Sequence, residues 1–383
     1  MPGSATTKRL LNGASRPRTL NLTNIQMLLR FIKKLFGSNA QQDQQELELA
    51  QSMVQNSQLQ PAIVVLDTLL ARSPDCAGAW MLRGALKRLL NDPQGGIADL
   101  ERAITLELHA DRAGCHFELA LCWQMVGDKD QALAQCALAR ELNPDSVPAF
   151  FLLTRLRLPG EDYFDVLSRV IADVKPETYV EIGVFEGASL KLARSAKAVV
   201  GIDPEPRISW TLGSNMKLFK TTSDAFFAHH DLIAELGQRR VDLAFIDGMH
   251  QFEFAMRDFA NLERCCHARS IILIHDCYPL DEESAGREPR VTRWSGDVWR
   301  LIVLLKKYRP DLRIHTIGTA PTGLAVIQNL NPASTYLMEH QARLNEEFLA
   351  LGYSFLDDDK PEKLNLFANH WPSIKAMLRP QGR

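Results

Sequence analysis

The sequence lacks the features that would settle its class at a glance. Its 383 residues contain no C-x-x-C pair, and the seven cysteines (76, 115, 122, 136, 265, 266, 277) are odd in number. Most lie within apolar helical patterns, which argues against a zinc ribbon or a disulfide framework and predicts reduced, buried thiols in a cytoplasmic protein. No apolar run is long enough to span a bilayer, and the first residues lack the apolar core and small-residue cleavage site of a signal peptide, so a soluble protein is expected. A net charge of −2 supplies no global attraction to nucleic acid or anionic membrane. Any such contact has to be local, and no nucleic-acid partner is expected. Missing too is G-x-G-x-x-G, the turn on which a dinucleotide fold rests a pyrophosphate.

The length predicts two or three domains. In residues 1–43 the first acid is Asp43, preceded by Lys8, Arg9, Arg16, Arg18, Arg30, Lys33 and Lys34. The first twenty are Gly/Ser/Thr/Arg-rich and read as disordered. Ile25, Leu28, Leu29, Ile32, Leu35 and Phe36 then share one helical face, with Arg30, Lys33 and Lys34 away from it. That make-up, over about 23–36, suits either peripheral contact with a membrane surface or docking on the protein's own domain.

Residues 44–157 are helical with a period of about 34 to 36. Ala62, Ala98 and Ala132 each sit early in the second helix of a pair, and Pro74 and Pro144 close two of the units. Gly127 to Pro144 resembles the second half of a tetratricopeptide repeat, with small Ala132 and Ala139 where helices cross. The middle unit departs from that pattern at Thr105 and Ala110. An all-α array of three repeats is expected, and the usual use of such stacked pairs is to bind a protein partner. Self-association and bracing of a catalytic domain are the other uses open to it.

An α/β domain is expected over 158–330. Tyr179-Val-Glu-Ile-Gly-Val-Phe-Glu-Gly-Ala-Ser189 reads as a strand, a glycine turn and a helix beginning near Leu190. Glycines at 183 and 187 let backbone approach a ligand closely. The next run, Ala198 to Asp203, ends in a carboxylate about twenty residues after the turn, where a βαβ unit offers an acid to ribose hydroxyls. Further strands read at 216–222, 241–247 and 270–276, the last two almost wholly apolar until their terminal acids, as buried parallel strands should be. Asp281 to Gly296 is polar, Val298 to Lys307 helical, and 312–317 with 323–327 form a hairpin. Residues 331–383 read as a helical C-terminal extension.

The pattern Glu181-x-Gly183-x-x-x-Gly187 resembles the first motif of class I S-adenosylmethionine-dependent methyltransferases. Phe245-Ile-Asp-Gly-Met-His250 with Ile274-His-Asp276 resembles a subgroup of them containing metal-assisted sugar and small-molecule O-methyltransferases. The resemblance implies a seven-stranded Rossmann-like sheet and S-adenosylmethionine as cofactor. It puts Glu181, Gly183 and Gly187 around the methionine part and Asp203 on the ribose, with Asp224 or Ser223 at the adenine edge. Asp247 and Asp276, at adjacent strand ends, can hold a hard cation such as magnesium, leaving room for substrate hydroxyls. His250 is then the proton acceptor, and His275 orients Asp276 or completes the site. Asp281 to Gly296 becomes a substrate lid, with Trp294 and Trp299 available to stack on a ring.

The expected activity is O-methylation of a hydroxylated small molecule or glycan. Two other readings stay open at this point: a repeat-based interaction protein whose α/β domain binds cofactor without turnover, and a methyltransferase acting on a protein.

Overall fold

The computed structural model describes residues 41–106 and 111–379. The amphipathic helix read at 23–36, the basic residues around it, and Ala110 lie outside the described residues. The chain divides into two units after Leu156.

In the first unit, apolar residues at helical spacing and short capped connections produce α1 (Gln41–Gln55), α2 (Leu59–Arg72), α3 (Ala77–Leu89), α4 (Pro93–Thr105), α5 (Arg112–Val126), α6 (Lys129–Leu142) and α7 (Val147–Arg157). Asp92, Asp111 and Asp128 each accept a hydrogen bond from a backbone amide three residues on, capping α4, α5 and α6. The first six helices form three hairpins. Ala62 and Ala132 are wholly buried, whereas Ala98 is exposed. In the middle hairpin glycines make the close approach instead: a Cβ on Gly84 would lie 3.0 Å from the Gly96 carbonyl oxygen, and one on Gly96 2.9 Å from that of Gly84. The expected basic segment to residue 43 also needs correcting at its end. Asp43 belongs to α1 because its buried carboxylate accepts from Arg72, at 2.5 Å, and from the Ser73 hydroxyl, at 2.6 Å.

The second unit opens with α8 (Tyr163–Val174) and is built on one sheet. Its strands are β1 (Thr178–Ile182), β2 (Ala198–Ile202), β3 (Met216–Phe219), β4 (Val241–Ile246), β5 (Cys266–His275), β6 (Arg313–Ile317), β7 (Leu324–Gln328) and β8 (Leu366–Phe367). Their order is β3-β2-β1-β4-β5-β7-β6-β8, so the sheet has eight strands where seven are expected. The extra one comes from the C-terminal extension, whose Leu366 and Phe367 pair parallel with Thr316 and Ile317. The β1 to β5 pairings are parallel, while β7 runs antiparallel to both β5 and β6.

Alternate residues of the central strands enter two cores. Val180, Ile182, Ala244, Ile246, Ile272 and Ile274 pack with α10 (Phe252–Cys265) and α11 (Trp299–Tyr308), which follow the short α9 (Ser223–His229). Tyr179, Leu243, Phe245, Ile271 and Leu273 pack on the other face with α8. Burial on both faces explains why these strands are apolar throughout.

The helix expected after the glycine turn is only a 3-10 turn, Leu190–Ala193. Residues 194–197 must already lead into β2, which leaves no room for an α-helix whose N-terminus could face a ligand.

Candidate functional site

Two groups of side chains stand at the carboxyl ends of the parallel strands. The first surrounds the turn after β1. Gly183 and Gly187 have φ of +87° and +72°, which a side chain would resist. A Cβ on Gly183 would also lie 2.0 Å from the Asp247 carbonyl oxygen, so this glycine is required by close packing of the β1 and β4 loops. Asp203 Oδ2 accepts from the amides of Val184 and Phe185, each at 2.8 Å, and Oδ1 from that of Glu205, at 2.7 Å. Glu181 is buried, accepting from the Tyr179 hydroxyl at 2.8 Å and from Ser189 at 2.7 Å. These acids shape the turn. Ser223 and Asp224 begin α9 and face α10: Asp224 holds Arg257 through two contacts at 2.7 and 2.8 Å, and Ser223 hydrogen-bonds Asp258.

The second group lies after β4 and β5, where Ile246 pairs with Ile274 and brings the following residues side by side. His250 Nδ1 is 2.8 Å from Asp276 Oδ2, and its Nε2 is 3.8 Å from Asp247 Oδ1. His275 Nδ1 is 3.0 Å from Asp247 Oδ1 and 3.4 Å from Asp276 Oδ2. One donor atom each from Asp247, His250 and Asp276 fall within 4.8 Å of one another. His250 and Asp276 both have positive φ, 57° and 61°, a backbone state that non-glycine residues adopt at a cost and that gathers at functional sites.

Burial opposes charge on both imidazoles, but the carboxylates outweigh it. Asp276 and then Asp247 raise His275 to about 10, and the same two acids hold His250 above its ordinary value. Burial alone would raise Asp276, yet His275 and His250 keep it well below the carboxylate range.

Several supporting residues are not singled out by sequence reasoning. Thr322, in the β6–β7 turn, donates to Asp276 Oδ1 at 2.5 Å, because antiparallel return of β7 along β5 brings that turn to the strand end. The Tyr163 ring lies on His275, with centroids 4.0 Å apart. Asp258, on α10, lines the same cavity as Asp247, His250 and Asp276. Only the polar turn between two apolar runs hinted at Thr322. Nothing in spacing alone pointed to Asp258.

The segment 281–296 is folded over this group. Trp294 stacks on His250, centroids 5.6 Å apart and planes at 14°. The Ser284 carbonyl accepts from the amides of Ser295 and Gly296, and the Asp297 amide donates to the His250 carbonyl at 3.1 Å. Arg287 bridges Glu253, at 2.6 Å, and the fully buried Asp297, at 2.9 Å. Trp299, expected to be available for stacking on a substrate, is instead in the core at 1% exposure, because it starts α11 on its inward face. Among the described residues no helix is long and apolar enough to cross a membrane.

A family model described as "Methyltransferase domain" matches residues 180–277. "Uncharacterized protein R132" of Acanthamoeba polyphaga mimivirus is 34% identical over 171 residues, covering 40% of this chain and 72% of that protein. Among solved structures, the O-methyltransferase from Bacillus cereus in complex with SAH is 14% identical, over 50% of this chain and 96% of that one, with a TM-score of 0.34. The crystal structure of MamA is 17% identical, over 44% of this chain and 83% of that one, with a TM-score of 0.29.

Proposed function

We propose that this chain, which belongs to the class I S-adenosylmethionine-dependent methyltransferases, methylates a hydroxyl oxygen of a small molecule or glycan with help from a divalent cation. The observation that carries this reading is the convergence of Asp247, His250 and Asp276 at two adjacent strand ends.

The donor set fits such an ion. Carboxylate oxygens are the ligands that hard cations prefer, and His250 Nδ1, though close to Asp276, is buried without an aligned hydrogen bond. Asp247 and Asp276 would hold the cation. When bound, magnesium or a similar ion supplies positive charge that favours ionisation of an acceptor hydroxyl.

The rest belongs to the chain's own residues. Against the opposing effect of burial, the two carboxylates favour the charged form of His250. With their charge offset by a cation that preference weakens, and the neutral imidazole could take the acceptor's proton as the oxygen attacks the sulfonium methyl carbon and S-adenosylhomocysteine leaves. His275 braces Asp247 and Asp276 between Tyr163 and Thr322. Trp294 stacks on His250 and shields one face of its ring. On the cofactor side, Asp203 Oδ1 accepts one amide and retains a lone pair for a ribose hydroxyl.

Isotope-labelled S-adenosylmethionine, incubated with the protein and small-molecule extracts, provides the test. Mass spectrometry should find the labelled methyl group on a hydroxyl-bearing product, and chelator should prevent its formation. Labelled product on protein lysine or arginine, formed equally well in chelator, would overturn the reading.

A further inference from the structure

One acid of the site has no part in the reaction described above. Asp258 projects from α10 and is 2% exposed. Ser223 hydrogen-bonds its carboxyl group, but Oδ1 is buried and meets no donor. A Cβ on Gly248 would come within 3.9 Å of Asp258 Oδ2, which puts this acid against the loop that carries Asp247 and His250. Asp258 lines, with Asp247, His250 and Asp276, a small cavity that opens to solvent. Apart from His275 the remaining wall is apolar or glycine, and no side chain there reaches Oδ1.

A buried carboxyl oxygen facing a cavity without a partner is costly unless a guest supplies a hydrogen bond. Small divalent cations shed their waters reluctantly and carry several into a protein site. We propose that Asp258 is an outer-sphere positioning residue for the cation held by Asp247 and Asp276, its free Oδ1 accepting a hydrogen bond from a water of that cation's hydration shell. The inference rests on the metal reading of the site. It explains why an acid stands where an apolar side chain would pack at lower cost. Burial raises this carboxyl group to about 7, so a donor arriving in the cavity would also draw off its proton near neutral pH.

Calorimetric titration with Mn²⁺ alone tests this without knowledge of the acceptor. Asp258→Asn keeps an acceptor oxygen and should bind within about threefold of wild type, whereas Asp258→Leu should bind about 10- to 100-fold more weakly. Repeating the titration in buffers of different ionisation heat should show wild type releasing more protons per cation than Asp258→Asn, a difference that a purely structural role would not produce. Thermal unfolding in chelator reports whether each variant folds, and should Asp258→Leu not fold, the proton count of Asp258→Asn decides. Equal affinity in wild type and Asp258→Leu, or equal proton release in wild type and Asp258→Asn, overturns the role of Asp258 and leaves the metal reading standing. A wild-type protein that binds no Mn²⁺ overturns both.

Discussion

At the ends of β1 and β2 the carboxylates are held by neutral donors of the chain itself: Asp203 accepts three backbone amides, and Glu181 accepts the hydroxyls of Tyr179 and Ser189 beneath the turn. At the ends of β4 and β5, Asp247 and Asp276 face two imidazoles and the hydroxyl of Thr322. Amides and buried hydroxyls are neutral donors fixed by the fold, so the first pair of acids sets the shape of a loop. Imidazoles change charge with their surroundings, so the second pair answers to partners whose charge can vary. Both groups stand at the same edge of one sheet and differ only in what answers the negative charge.

This contrast can be broken most strongly at the imidazole end. His250→Ala should slow methyl transfer by roughly 10²- to 10⁴-fold, the range for losing a general base, while cofactor affinity changes little. Steady-state kinetics with calorimetry of S-adenosylhomocysteine binding separates the two quantities. Recovery of the variant's rate on adding excess Mn²⁺ would assign the histidine to cation binding and not to proton transfer.

Next in size is Gly183→Ala, which acts on both groups at once because the new Cβ would collide with the Asp247 carbonyl at positive φ. Strain and overpacking together predict a loss of at least about 3 kcal/mol in denaturant unfolding. Cofactor and Mn²⁺ binding should both weaken. Loss of one alone would show that the two loops are less firmly coupled than their contact implies.

The smallest effect sharpens the contrast. Asp203→Asn removes one acceptor oxygen from a turn that uses both, which should cost about 1 to 3 kcal/mol of stability. Cofactor binding should weaken with it, and Mn²⁺ affinity should be unchanged. A fall in Mn²⁺ affinity as large as the fall in cofactor affinity would mean that the acids of the turn also govern the second group.

Much of this arrangement is legible in residue order, since apolar runs ending in Asp203, Asp247 and Asp276 announce buried parallel strands whose ends share a crevice. Partners that arrive from elsewhere in the chain are not. Thr322 reaches Asp276 from 46 residues away through the turn of an antiparallel hairpin, and Asp258 looks like one more polar position on an amphipathic helix. Trp299 shows the converse error: an aromatic residue beside a polar segment suggests a substrate platform, but the helix it begins turns it into the core. The absent helix after the glycine turn has a similar origin, because apolar spacing at Leu190, Leu192 and Ala193 does not reveal how few residues remain before β2.

The closure at Ser284 bears on how this enzyme could change its acceptor. With Ser295 and Gly296 bonded to the Ser284 carbonyl and Asp297 bonded to His250, residues 285–294 form a loop whose two ends are pinned together. Lengthening a loop closed at its base costs only about 0.6 kcal/mol per doubling of its length. Insertions between Gly286 and Arg293 could therefore reshape the approach to His250 while the cluster below keeps its geometry, which makes this stretch the economical place to graft a new acceptor preference.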